Sequence, residues 1–185
     1  NPKEYNGYKL YDEPGCQLIP ELAQKVIDEI DLIDDILDIA VSDDYDRELI
    51  HIVNKEVDDA YLEKVLSIQG LNKDFKIAFS PEHGTSYLPV TNALKTAGYD
   101  VEVVESQCIF DPAFSNTKTP NPEEKGENEG VLELAKNINA KLLLVCDPDG
   151  DRMGVGILHN GEYVILNGNQ TGALLLEYIL STYED

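Results

Sequence analysis

The segment Asp147-Pro148-Asp149-Gly150-Asp151-Arg152 sets three carboxylates at alternate positions, with a glycine and an arginine among them. It follows Lys141–Cys146, which holds four consecutive aliphatics, Leu142 to Val145, and reads as a buried strand. The acidic segment therefore falls at a strand's C-terminal end, where open α/β sheets bind ligands. An extended or gently curled loop would bring the three carboxylates to one point. Two carboxylates roughly 4.5 Å apart repel by about 3–4 kcal/mol at an effective dielectric near 20. A divalent cation relieves that repulsion. All-oxygen ligation selects a hard ion, so Mg²⁺ is the first choice, Mn²⁺ fits as well, and Zn²⁺ is disfavoured. Three protein oxygens leave coordination positions open, which suits a metal that also holds a phosphate.

Other readings of this loop can be tested on its spacing. A calcium loop of the EF-hand type starting at Asp147 needs glycine at its sixth position and glutamate at its twelfth. Those positions hold Arg152 and Leu158, so that reading fails. A haloacid-dehalogenase-like metal-dependent phosphatase matches Asp147, Asp149 and Gly150, then breaks at Asp151. That family's later lysine has no counterpart, because no lysine follows residue 151. A merely acidic turn, or a non-enzymatic acidic cation-binding module, is the remaining alternative. His83, just past a predicted strand, reads more readily as a loop hydrogen-bond or packing residue than as part of a site.

Composition narrows the partners. The chain has 185 residues, with 36 Asp+Glu against 14 Lys+Arg, a formal net charge of −22 and a pI near 4.2. Such a surface repels nucleic acid and anionic membranes, so neither is an expected partner. No apolar stretch approaches the roughly 20 residues that span a bilayer. Cys16, Cys108 and Cys146 are odd in number and widely spaced, which argues against a disulfide framework or a zinc site. A reducing, cytoplasmic setting is expected. The polar opening Asn1-Pro2-Lys3-Glu4, without an initiator methionine, reads as part of a longer protein.

The elements that must position the loop follow from periodicity. Tyr8–Tyr11 suggests a short strand before a turn at Glu13-Pro14-Gly15. Leu22, Val26, Ile30, Ile33 and Leu37 form one helical face after Pro20, which suits a first helical position. From Asp28 to Asp46 there are nine acidic residues and no basic one. That run reads either as a cation- or basic-partner surface or as a solvated face and linker. Beyond it, strands and helices alternate. Strands are expected at Leu49–Val53, Lys76–Phe79, Val101–Val104 and Lys141–Cys146. Helices are expected at Val57–Ile68 (ending at Gly70), Ser86–Ala97, Asn128–Ile138 and Gly168–Leu180. A proline-rich loop with Pro112, Pro120 and Pro122 lies between. Asn160-Gly161 joins Met153–Leu158 to Glu162–Leu166 as a hairpin, since both turn residues tolerate φ > 0. The fold class is α/β, a layered mixed sheet flanked by helices.

Asp147–Gly154, DPDGDRMG, resembles the metal-binding loop of the α-D-phosphohexomutase family, the phosphoglucomutases and phosphomannomutases. Asn1–Lys9, NPKEYNGYK, resembles the segment that follows that family's active-site Ser-His pair, and Pro81–Thr85 (PEHGT) and Thr119–Glu123 (TPNPE) resemble motifs of its second domain. The resemblance runs over essentially the whole chain. It implies a four-domain parent, with residues 1–45 ending domain 1, 46–165 forming domain 2 and 166–185 beginning domain 3.

The resemblance also implies chemistry. Asp147, Asp149 and Asp151 would ligate Mg²⁺ together with a phosphoserine oxygen. Arg152 would pair with the phosphoserine or the loop carboxylates. Lys9 matches a lysine proposed as general acid/base toward the sugar hydroxyl. The reaction would interconvert hexose 1- and 6-phosphates through a bisphosphorylated sugar, with glucose phosphates preferred. The catalytic serine would stand two residues before Asn1, so the chain alone is expected to be inactive and to depend on the parent's remaining domains.

Overall fold

The computed structural model describes residues 9–35, 37, 39, 48, 50–53, 55–68, 72–117 and 129–182. The stretch before Lys9, Leu49, Gly70, Thr119–Glu123 and Asn128, all used in the reading above, lie outside them. The chain divides into two compact units, one from Lys55 onward and one within Tyr5–Asn54.

In the first unit the elements are α2 (Lys55–Leu66), β1 (Lys76–Ser80), α3 (Tyr87–Thr96), β2 (Asp100–Val103), α4 (Glu129–Ile138), β3 (Leu142–Cys146), β4 (Met153–His159), β5 (Glu162–Leu166) and α5 (Gly168–Thr182). They build one five-stranded sheet in the order β2-β1-β3-β4-β5. β1 pairs parallel with β2 and with β3, while β3–β4 and β4–β5 are antiparallel. The sheet is mixed and flanked by helices, as the alternation of elements predicts.

The period-2 alternation of the strands sends side chains to two different cores. On one face Ala78, Leu143 and Val145 pack with Val131 and Ala135 of α4. On the other, Ile77, Phe79, Val101 and Cys146 gather Val90 and Leu94 of α3. Phe79, Ile77, Leu143, Val131 and Val145 are fully buried, each contributing about 1.5–3 kcal/mol relative to exposure. Tyr163 of β5 pins the end of α4: its hydroxyl lies 2.9 Å from the Ala135 carbonyl oxygen and 2.8 Å from that of Ala140.

Short-range chemistry terminates the elements. Asn160 and Gly161 adopt φ 50° and 85°, the left-handed pair that a tight β4–β5 hairpin requires. Asn167 and Gln170 cap α5 reciprocally, each side-chain oxygen accepting the other's backbone N–H at 3.0 Å.

Three expectations change. Ile50–Val53 forms no strand and lies exposed. In the second unit, α1 spans Pro20–Ile30 and stops at Asp31, short of Ile33 and Leu37. Its last turn carries no basic residue, and Asp31, Asp34 and Asp35 follow where the helix dipole is already negative. Of the expected Tyr8–Tyr11 strand, the described residues show a bridge between Tyr11 and Gln17. No helix among the described residues is long and apolar enough to cross a membrane.

Candidate metal centre

β1 is flanked by β2 and β3, and the chain reaches these neighbours by α3 over one face and α4 over the other. The strand order thus switches direction between β1 and β3, and crevices at such points receive ligands. Two loops open there, residues 81–86 after β1 and residues 147–152 after β3.

Within the second loop the three aspartates differ sharply. Asp147 is fully buried, while Asp149 and Asp151 are exposed. One carboxylate oxygen from each lies within 4.8 Å of the others. Arg152 holds the buried member twice. Its backbone N–H donates to Asp147 Oδ1 at 2.9 Å and its Nε–H to Oδ2 at 2.8 Å. The same Nε lies 3.8 Å from Asp151 Oδ1. The hydrogen bond to Asp147 raises the guanidinium pKa, and the three loop carboxylates add to the effect. Gly150, at φ 73°, closes the turn by donating its N–H to the Asp147 carbonyl at 3.0 Å.

The neighbouring loop braces this one. Thr85 N–H donates to the Pro148 carbonyl at 2.9 Å, and the Thr85 hydroxyl points to the same oxygen at 3.3 Å. A Cβ on Gly84 would fall 2.3 Å from Pro148 Cα and O. Glu82 is fully buried. Burial pushes the Cys146 thiol pKa up, and the Asp147 and Glu82 carboxylates push the same way. A groove of about 390 Å³, lined by Tyr61, Val65, Thr85, Pro89, Asp149 and Gly150, opens beside the loop.

The structure thus gathers Asp147, Asp149, Asp151 and Arg152. Lys9 is an exposed residue of the other unit. His83 is nearly buried. Its Nδ1–H donates to the Ile109 carbonyl at 2.9 Å, and its ring meets the Phe114 ring edge-on. That is the loop and packing role expected of it. Sequence reasoning missed the contact of Gly84 and Thr85 with Pro148. The usable signal was a glycine four residues past one strand, facing a proline two residues past its parallel neighbour.

A family model described as phosphoglucomutase/phosphomannomutase, alpha/beta/alpha domain II, matches residues 59–160. The chain belongs to the phosphoglucomutase/phosphomannomutase family. A phosphomannomutase of Mycoplasmoides pirum is 38% identical over 186 residues, covering 97% of this chain and 34% of that protein. A phosphoglucomutase of Staphylococcus epidermidis is 37% identical over 190 residues, covering 100% of this chain and 35% of that protein. The chain thus spans 34–35% of the length of these relatives. The crystal structure of a phosphoglucomutase/phosphomannomutase family protein from Burkholderia thailandensis has the same fold. It superposes with a TM-score of 0.59 at 23% identity, over 68% of this chain and 26% of that one.

The donor set suits a hard divalent cation. It is all oxygen, its members are near enough to share one ion, and two of the three carboxylates face solvent. These are the preferences of Mg²⁺, which retains water among its ligands.

Proposed function

We propose that this chain supplies the Mg²⁺-binding loop of a phosphohexomutase that interconverts hexose 1-phosphate and 6-phosphate, with glucose phosphates preferred. The observation that carries this reading is the convergence of Asp147, Asp149 and Asp151 at the β1/β3 switch point. In the proposed parent, residues 1–45 end domain 1, 46–165 form domain 2 and 166–185 begin domain 3. The catalytic serine and the sugar-recognition elements belong to the parent's other parts, and the parent is cytoplasmic.

A bound Mg²⁺ neutralises charge on the transferring phosphoryl group, the main source of catalysis in such transfers. The residues of this chain prepare that site. Arg152 fixes the buried Asp147 carboxylate through both oxygens, so its orientation is set before any ligand arrives. Asp149 and Asp151 present outward oxygens on the solvent side of the loop. The half-exposed guanidinium of Arg152 suits a phosphate oxygen, because its planar fork presents several donors at once. In the transfer itself the phosphorus–oxygen bond to the serine breaks, a bond to the sugar hydroxyl oxygen forms, and the hydroxyl proton passes to a base. Lys9 is the proposed base, a task that requires an unprotonated amine.

Turnover assays test the reading. The chain alone, given glucose 1-phosphate and glucose 1,6-bisphosphate, should give no product, for want of the nucleophile. A chimera carrying this chain in place of the matched stretch of the S. epidermidis phosphoglucomutase should turn over. Asp149→Ala in that chimera should lower turnover by about 100-fold or more. A folded chimera without activity, or one indifferent to Asp149→Ala, would overturn the assignment.

A further inference from the structure

We propose that Gly84 is a positioning residue for the metal loop: its missing side chain lets the loop after β1 lie against the Pro148 backbone and so sets where Asp149 stands. The inference rests on the metal-site reading above and names a residue that touches neither metal nor substrate.

Three observations carry it. First, the contact is backbone to backbone. A Cβ at residue 84 would lie 2.3 Å from Pro148 Cα and O and 2.6 Å from its carbonyl carbon. No rotamer change relieves such an overlap, and ordinary contact would need a displacement of about 1 Å. The glycine is required by proximity alone, because residue 84 lies outside the left-handed φ region.

Second, the loop after β1 is the side that cannot yield. Glu82 and His83 sit at φ 45° and 63°, a costly conformation for non-glycine residues. Hydrogen bonds lock them in place. Glu82 N–H donates to Ser80 Oγ at 3.2 Å, His83 N–H to the Gln107 carbonyl at 2.8 Å, and Gly84 N–H to the Pro81 carbonyl at 2.7 Å. Gln107 is itself buried, with its Nε2 donating to the Asn116 carbonyl at 2.7 Å. Third, Pro148 joins Asp147 to Asp149. Asp147 is held by Arg152, so a push on Pro148 passes outward to Asp149 and Gly150.

The test compares Gly84→Ala with Gly156→Ala. The second substitution also overlaps neighbours, at 2.6 Å from Leu143 Cδ1 and 2.8 Å from Ile165 Cδ1, but within the sheet and away from the loop. Mn²⁺ titration, followed by broadening of the Asp149 and Gly150 amide signals, should show about tenfold or greater loss of affinity in Gly84→Ala. Gly156→Ala should bind as the unmodified chain does, although both variants melt earlier. Equal affinity of Gly84→Ala and the unmodified chain would overturn the proposal, as would equal loss in both variants. Should Gly84→Ala not fold, Thr85→Pro deletes the amide donor to Pro148 and should weaken Mn²⁺ in the same direction; unchanged affinity there overturns it. If the unmodified chain binds no Mn²⁺, the metal reading fails. Exchange of the Gly150 amide, which donates to the Asp147 carbonyl, then decides the positioning claim: faster exchange only in Gly84→Ala supports it, and no change refutes it.

Discussion

Two acidic regions of this chain behave in opposite ways. The stretch from Asp28 to Asp46 holds nine acidic residues and no basic one, against three aspartates and an arginine in Asp147–Arg152. In the first region Asp28, Asp31, Asp34 and Asp35 are all exposed at or beyond the end of α1. Asp28 meets a neutral partner, accepting from Gln24 Nε2 at 2.8 Å. In the second, Asp147 is buried and gripped by Arg152, and the others collect around it. Among the described residues only the second region brings three candidate metal ligands together. Density of charge does not make a site. What brings three carboxylates within reach of one another here is a buried anchor with its own counter-ion, Asp147 held by Arg152.

Charge removal should separate the regions most strongly. Arg152→Ala leaves the buried Asp147 carboxylate without its guanidinium, and should cost about 2–3 kcal/mol in a denaturant melt. Asp34→Asn in the run should change stability by no more than about 0.5 kcal/mol, or raise it slightly as repulsion falls. Similar losses in both variants would break the contrast.

Thiol chemistry sharpens it at the next level. Cys146 borders the buried end of the loop, where burial raises its pKa. Cys108 is pushed up to about 11, first by burial and then by Glu105. Since the thiolate is the nucleophile, alkylation at pH 8 should reach the exposed Cys16 well before either. Mass spectrometry of a timed iodoacetamide reaction gives the order, and early labelling of Cys146 would contradict the burial of this end of the loop.

The smallest effect is a pH response at Asp111, a partly exposed carboxylate that local bonds hold. Hydrogen bonds from the Ser115 and Ala113 N–H groups, at 2.9 Å each, lower its pKa below the ordinary carboxylate value. The stabilisation is therefore complete above the unfolded value, about 3.9, and disappears as pH falls through the depressed folded value. Amide shifts of Ala113 and Ser115 should hold steady down to about pH 4 and move only below it.

Much of this arrangement could be read from local sequence. Asn160-Gly161 specifies its hairpin by backbone conformation alone, and the Leu142–Val145 run places the acidic loop at a strand end. The carboxylate spacing named the candidate ligands. What could not be read was tertiary. Nothing within Asp147–Arg152 says that Asp147 is the buried member, since that depends on β1 and on residues more than sixty positions earlier. The close approach of Gly84 to Pro148 arises only once β1 and β3 pair in parallel. The apolar spacing from Leu22 to Leu37 looked like one helix because periodicity ignores the acidic residues that end it at Asp31. Ile50–Val53 has strand composition yet forms no strand, because β propensity depends on tertiary partners that composition does not name.

If Asp147, Asp149 and Asp151 hold one divalent cation, the loop must respond to it in solution. A Mg²⁺ titration of the chain, following the backbone amide signals of every residue, tests it most directly. Saturable shifts are expected at Asp149 and Gly150, abolished by Asp149→Ala, with only small linear drifts from Asp28 through Asp35. Affinity should be weak, because three carboxylates leave the remaining coordination positions to water. No shift in the loop at tens of millimolar Mg²⁺, or equal saturable shifts in both acidic regions, would contradict the shared cation site.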